Sequence, residues 1–311
     1  MRRPFAALLA GGVLLAAVAV TPPGRDLRRF VLSAWSEYTQ FRPQRAAVPL
    51  PAGAAALGFR PVAFVVAGVG TMRGWYAPSR NGAAVVLTHG SGGDRREVLD
   101  VAEALAGGGY GALLFDWPGH GESDGGVRFG APERRALQVA VGYLRARPGV
   151  DTARVGAYGF SIGAFLLAQT AAVDPRVRAV VLAAPPADAT RLARDEYAGR
   201  GRAAQWGAIL GDRLAGMRLD EAQPATLVGR IAPRPLLIVT GSADHVVSPA
   251  EARDLYAAAG APKQLLVVPG AGHGDYTRAA PDYAARVRAF FDRALAPPAA
   301  SRTGAPDAGA P

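Results

Sequence analysis

A chain of 311 residues, half of them apolar, is long enough to bury one large hydrophobic core or two small ones. Having no cysteine, it excludes a disulfide framework, a zinc–thiolate site and a cysteine nucleophile. Lys and Arg outnumber Asp and Glu by 35 to 25, a net charge of +10, yet eight arginines against two acids in residues 1–60 already carry +6 of it, and no arginine run there is interleaved with aromatics, which argues against a nucleic-acid partner.

The chain opens with Arg2 and Arg3, then an apolar run over residues 5–20, then Thr21-Pro22-Pro23. That run is long for a signal peptide and short for a membrane span. Residues 1–22 therefore read as a signal peptide, with Ala17-Val18-Ala19 as its A-x-A site, or as an N-terminal membrane anchor. Either predicts a membrane-anchored or exported protein with membrane association through the N-terminus. The short basic start favours export. Arg25, Arg28 and Arg29 on the other flank leave a cytoplasm-facing anchor open. Residues 23–58 form a basic juxtamembrane segment, with an aromatic-bearing helical piece over 30–41 and a Pro/Ala/Gly-rich linker over 43–58. Residues 59–296 are expected to form the main domain. Residues 297–311, Pro/Ala/Gly/Ser-rich and without periodicity, read as a disordered tail.

Within the domain, residues 61–67 and 72–77 predict a hairpin around Gly68-Val69-Gly70. Those glycines with Gly74 mimic part of a dinucleotide fingerprint, but a strand follows where that motif needs a helix, so no dinucleotide site is expected. Residues 83–88 are a fully apolar strand, as a sheet covered on both faces requires, and they run into His89-Gly90-Ser91-Gly92-Gly93-Asp94. A helix over 96–105 ends at Gly107-Gly108-Gly109. A strand over 111–116 leads into Trp117-Pro118-Gly119-His120-Gly121-Glu122-Ser123. A helix over 133–145 precedes a strand over 154–158.

That strand meets Gly159-Phe160-Ser161-Ile162-Gly163 and a helix-like run from Ala164. Strand, sharp turn and helix is the context in which a G-x-S-x-G serine is held out at the edge of a sheet. After a strand over 177–183, residues 186–233 break the rhythm. They are polar, arginine-rich and weakly helical over 189–197 and 204–214, and they read as a small lid insertion. Regular structure resumes with a strand over 235–240, Gly241-Ser242-Ala243-Asp244-His245, a helix over 249–259, a strand over 264–268, Gly270-Ala271-Gly272-His273-Gly274-Asp275 and a closing helix over 283–295.

The alternation predicts an α/β fold: a mostly parallel central sheet with helices on both faces. Each special loop follows a strand's C-terminal end, where open sheets bind ligands. Ser161, Asp244 and His273 all fall there, in that chain order. A serine hydroxyl is a weak nucleophile, a histidine can take its proton as it attacks a carbonyl, and a carboxylate on the other ring nitrogen holds the histidine's tautomer. The oxyanion needs two N–H donors: Ile162, next to the nucleophile, and Ser91, with Gly92 the one-residue alternative. Asp275 is the rival acid, and a capping role is the rival for Asp244. His89 and His120 are expected to support their loops, and Asp116 to cap its turn. No metal-ligand spacing is present.

On His89-Gly90-Ser91-Gly92-Gly93, the Asp116 to Ser123 loop, the Ser161 elbow, Gly241-x-x-Asp244 and Gly272-His273-Gly274, residues 60–295 resemble the α/β-hydrolase superfamily. Within it the chain is similar to the Bem46/ABHD13-type hydrolases, which often carry an N-terminal membrane segment. The resemblance implies esterase-like hydrolysis without a cofactor or metal, on a small-molecule acyl ester or thioester. A peptidase or acyltransferase on the same triad, or a non-catalytic binding protein of this fold, is the alternative. Dehalogenases and epoxide hydrolases of the fold carry Asp at the elbow, and Ser161 argues against both.

Overall fold

The computed structural model describes residues 22–40, 45–217 and 222–297. The apolar run of residues 5–20 and the tail from residue 298 lie outside the described residues. Eight strands form one sheet: β1 (Arg60–Val66), β2 (Gly70–Ala77), β3 (Ala84–Thr88), β4 (Gly111–Phe115), β5 (Val155–Phe160), β6 (Ala179–Ala183), β7 (Leu236–Gly241) and β8 (Lys263–Val268). Their spatial order is β1-β2-β4-β3-β5-β6-β7-β8. The β1–β2 hairpin is antiparallel and joins β4 antiparallel, whereas β3 to β8 pair in parallel. Every residue of β3, β4, β6 and β7 is buried, which is what their unbroken apolar sequences require of strands covered on both faces.

The chain leaves β3 for β4 on one side and returns to β5 on the other, so strand order reverses beside β3. A crevice opens at such a reversal, outside the strands' C-terminal ends. The helices of eight residues or more are α1 (Pro22–Gln40), α2 (Leu99–Gly107), α3 (Ala131–Arg145), α4 (Ile162–Ala171), α5 (Ala189–Glu196), α6 (Arg202–Leu214), α7 (Pro249–Ala258) and α8 (Tyr283–Ala294). Val101 and Leu105 of α2 and Val287, Phe290 and Phe291 of α8 build the core on one sheet face. Leu137 and Val141 of α3, Phe165 of α4 and Leu255 of α7 build it on the other. Buried all round, α4 threads between the sheet and its neighbours.

Helix α1 starts earlier than its aromatic pattern suggests. Prolines at its first positions cost it little, because the first N–H groups of a helix have no intrahelical partner anyway. It runs parallel to α6 with backbones touching: a Cβ on Gly207 would sit 2.1 Å from the Phe30 carbonyl oxygen, and one on Gly211 2.3 Å from that of Ala34. Residues 186–233 between β6 and β7 thus carry α5 and α6, with α1 laid along the latter.

Two loops at the crevice are braced from beneath. His89 Nδ1–H donates to the Gly90 carbonyl at 2.8 Å, and its Nε2 accepts from the Trp117 amide at 3.0 Å. The Trp117 indole returns a bond to the His89 carbonyl at 2.9 Å. His120 donates from Nδ1 to the Pro118 carbonyl at 3.1 Å and meets the His89 ring edge to face at 5.1 Å. Asp116 caps its turn, as expected, by accepting from the Glu122 amide at 3.0 Å. It also accepts from the Arg95 amide at 2.9 Å and pairs with the buried Arg95 guanidinium, which in turn pairs with Glu122 and lies over the Trp75 ring at 4.6 Å. A side chain at Gly121 would strike the Asp116 carboxylate at 2.2 Å, so this position takes glycine.

Burial, foremost, lowers His89 to about 4 and His120 to about 3, against 6.5 for a free imidazole. The unfolded chain binds these protons first. Stability is therefore whole above pH 6.5 and falls as pH drops towards the folded values, by about 1.4 kcal/mol per pH unit for each histidine. Comparison of wild type with His120→Gln cancels the carboxylates common to both. Urea unfolding between pH 6.5 and 5 should give the variant a shallower loss of stability with falling pH; equal slopes would show that His120 is not the acid-sensitive group.

Candidate active site

Ser161 sits between β5 and α4 with φ 53° and ψ −121°, a left-handed conformation that a side chain adopts only under tertiary constraint. The constraint is visible. Its N–H donates to the Ala183 carbonyl of β6 at 2.8 Å. A Cβ at Gly159 would meet the Gly163 carbonyl oxygen at 2.6 Å, and one at Gly163 would meet the His89 carbonyl oxygen at 2.5 Å. Both flanking glycines are thus required by close packing, so that strand, elbow and helix can pass backbone to backbone beneath the serine.

The loops after β7 and β8 bring the other two residues to it. His273 Nε2 lies 3.0 Å from Ser161 Oγ, and His273 Nδ1 lies 2.9 Å from Asp244 Oδ2. With Nδ1–H donating to the carboxylate, Nε2 is left as the acceptor facing the hydroxyl. The other oxygen of Asp244 accepts from the amides of Val246 and Val247, each at 2.9 Å. Asp244 therefore caps the turn with one oxygen and holds the histidine with the other. Its side chain is fully buried. Asp275 is turned elsewhere: it accepts from the Gly272 amide at 2.6 Å and pairs with Arg278. Phe160 packs on the His273 ring at 5.0 Å, and Gly274 (φ 81°) brings the backbone against Phe160 where a Cβ would stand 2.8 Å from the ring.

Ser91 and Ile162 line the same cavity as Ser161. Four further carboxylates, Glu97, Glu251, Asp212 and Glu37, shape this region. Glu97 accepts from the Gly90 amide at 2.9 Å and lies where a Cβ on Gly93 would be, 2.0 Å from its oxygen. It fixes the loop that carries Ser91. Burial raises its carboxyl above the usual range, although the Gly90 N–H opposes this. The spacing Asp94-x-x-Glu97 ahead of a helix is the one signal that could have drawn attention to it, as a capping-box pattern. Glu251, at the start of α7, accepts from the Ala187 amide at 2.7 Å and pairs with Arg191, tying the beginning of residues 186–233 to the body. Asp212 of α6 is buried beside Glu37 of α1, and both line the cavity. Burial, and then the charge of Glu37, raise the Asp212 carboxyl well above the usual carboxylate range.

The cavity holds about 600 Å³. Phe129, Ile162, Leu192 and Val246 give it apolar walls near Ser161, and the Glu37–Asp212 pair gives it one polar wall. This volume suits a small organic substrate. Among the described residues no cluster of His, Asp and Glu could hold a metal ion.

With the geometry in place, comparison with known proteins gives a consistent picture. The chain is 31% identical over 209 residues to an uncharacterised protein of Mycobacterium tuberculosis (strain ATCC 25618 / H37Rv), an alignment covering 65% of this chain and 68% of that one. It is 32% identical over 119 residues, 37% of each chain, to the thiohydrolase aneE of Aspergillus aculeatus. In three dimensions it is similar to the Pyrococcus furiosus esterase Pf2001, with a TM-score of 0.68 at 22% identity over 83% of this chain and 99% of the other. Fold and relatives make it an α/β-hydrolase-fold enzyme. The model of the prolyl oligopeptidase family matches residues 130–297, more than half of the sequence, and the chain belongs to that family.

Proposed function

We propose that the protein is a serine hydrolase that cleaves a carboxylic ester or thioester through an acyl-enzyme on Ser161. The reading is carried by one observation: an unbroken hydrogen-bonded line from the buried Asp244 through His273 to Ser161 Oγ, at 2.9 and 3.0 Å. In this mechanism Ser161 Oγ attacks the acyl carbon while His273 Nε2 takes its proton. Asp244 holds the imidazole in the required tautomer and stabilises the imidazolium. The amides of Ile162 and Ser91 receive the oxyanion, each worth about 3–4 kcal/mol in the transition state. His273 returns the proton to the leaving alcohol or thiol, and water repeats the sequence to free the acid. Nothing in this cycle calls for a metal or cofactor.

The apolar walls around Ser161 suit the acyl part of such a substrate. The pattern of loops and the apolar run near the N-terminus support placing the chain with the Bem46/ABHD13-type hydrolases, membrane-anchored or exported, and working on a small molecule rather than a nucleic acid. Among the described residues no helix is long and apolar enough to cross a membrane, and the apolar run of residues 5–20 lies outside them. Membership of the prolyl oligopeptidase family favours one other reading of the same triad, as a peptidase or acyltransferase.

Ser161→Ala should lower hydrolysis of p-nitrophenyl esters by about 10⁶-fold and abolish labelling by a fluorophosphonate probe, with the circular dichroism spectrum unchanged. A folded variant that keeps substantial activity would remove Ser161 from the role of nucleophile. Asp244→Asn should cost about 10⁴-fold in turnover, and Asp275→Asn far less, because its contacts are the Gly272 amide and Arg278. The opposite ranking would transfer the acid's role to Asp275. Turnover of esters and thioesters well above that of matched anilides and peptides is expected; preference for the amides would establish the peptidase. EDTA should leave the rates as they are, and loss restored by zinc would contradict the metal-free cycle.

A further inference from the structure

Helix α1 exposes Leu27, Val31 and Trp35, and helix α6 exposes Trp206, Leu210 and Leu214. In each helix the spacing is i, i+4, i+8, which aligns the three side chains in one stripe. These six are between 38% and 64% exposed. The helices are parallel, since Phe30 meets Gly207 and Ala34 meets Gly211 with both numberings rising together. Two parallel helices touching along those residues turn their stripes to the same side. On the opposite side the pair presents Glu37 and Asp212, both buried and both lining the cavity above Ser161. The pair is a wall with a polar inner face towards the site and an apolar outer face.

That outer face joins six apolar side chains on two adjoining helices, and arginines outnumber acids along those helices. Arg25 and Arg28 on α1 and Arg202 on α6 are exposed around it. Besides the buried Glu37 and Asp212, the two helices hold one further acid, Asp26, and Arg29 lies 3.4 Å from it. Tryptophan has an apolar ring with a polar edge and favours the boundary between headgroups and acyl chains, and arginine favours anionic headgroups. In sequence, a single residue, Thr21, separates the apolar run of residues 5–20 from the start of α1. We infer that the outer face of the α1–α6 pair rests on an anionic phospholipid bilayer, with Trp35 and Trp206 at the headgroup boundary and the cavity directly behind them. This rests on the membrane association proposed above and goes beyond it, because it names a second contact, on the folded body.

The four tryptophans divide evenly for a test. Trp75 and Trp117 are buried, and Trp35 and Trp206 are on the face. Full-length protein is bound to phosphatidylcholine–phosphatidylglycerol vesicles, with or without brominated acyl chains, and followed by flotation and by tryptophan emission. Flotation reports membrane association and quenching reports the face. Brominated lipid should remove about half of the emission, as two tryptophans of four are within its reach. Trp35→Phe and Trp206→Phe should each remove part of that loss, and the double variant all of it. Protein that floats with undiminished emission overturns the proposal and leaves anchoring in place. Protein that neither floats nor is quenched overturns both. Shielding of the two rings from acrylamide without vesicles, in a dimer or in a monomer, together with no quenching by brominated lipid, assigns the face to a second copy or to the chain's own N-terminal residues and overturns it as well.

Discussion

Close backbone packing at the turn into α4 is the constraint on which the rest of the site depends. Ser161 occupies a left-handed conformation, and it keeps it because β6 accepts its amide, Gly159 lets α4 fold back onto β5, and Gly163 lets the His89 carbonyl come within contact distance. Relaxing any of these contacts would let the serine rotate away from His273. The cost of the strained residue is spread over three neighbouring strands, all of them buried and regular, and such a scaffold can over-determine one unfavourable torsion.

Around that turn the loops are supported in a graded way. Arg95 and Asp116 lock the loop after β4 from inside the protein, and the histidine pair with Trp117 transmits that support to the loop after β3. Glu97 then grips Gly90 from the other side. The segment bearing Ser91 is thus fixed by bonds to its neighbours on both sides, although it is itself rich in glycine. Preorganised donors need such backing, since an amide that must reorient during the reaction loses most of its electrostatic value.

Much of this was legible in the sequence. Continuous apolar runs fixed by period and length mark the buried strands, and β3 to β8 fall close to where those runs lie. The elbow, Asp244 and His273 are also legible because each stands in a glycine-rich loop after a strand, and chain order supplied the pairing that the structure brings within hydrogen-bond distance. Arg95 and Glu251 were not legible as site supports, because they act from the interior on partners 21 and 64 residues away in sequence and nothing in their immediate neighbours distinguishes them from the solvated charges of the chain. Glu97 was marked only by its spacing from Asp94, which signals a helix start and says nothing of its bond to Gly90. Helix α1 was seen only in part, for a similar reason: its partner is α6, about 175 residues further on, and the reason it needs Gly207 and Gly211 lies entirely in that contact. Local pattern alone reads a helical piece over residues 30–41 within a basic juxtamembrane segment.

That contact separates two boundaries that are usually assumed to coincide. The sheet begins at β1 and its core a little earlier, with Val48 and Ala54, so a chain cut to start at Val48 would retain every strand and each of Ser161, Asp244 and His273. Its cavity would nevertheless lack Glu37, the groove along Gly207 and Gly211 would be opened to water, and Asp212 would lose the carboxyl group beside it. The segment ahead of the sheet therefore belongs to the cavity as much as the loops after the strands do.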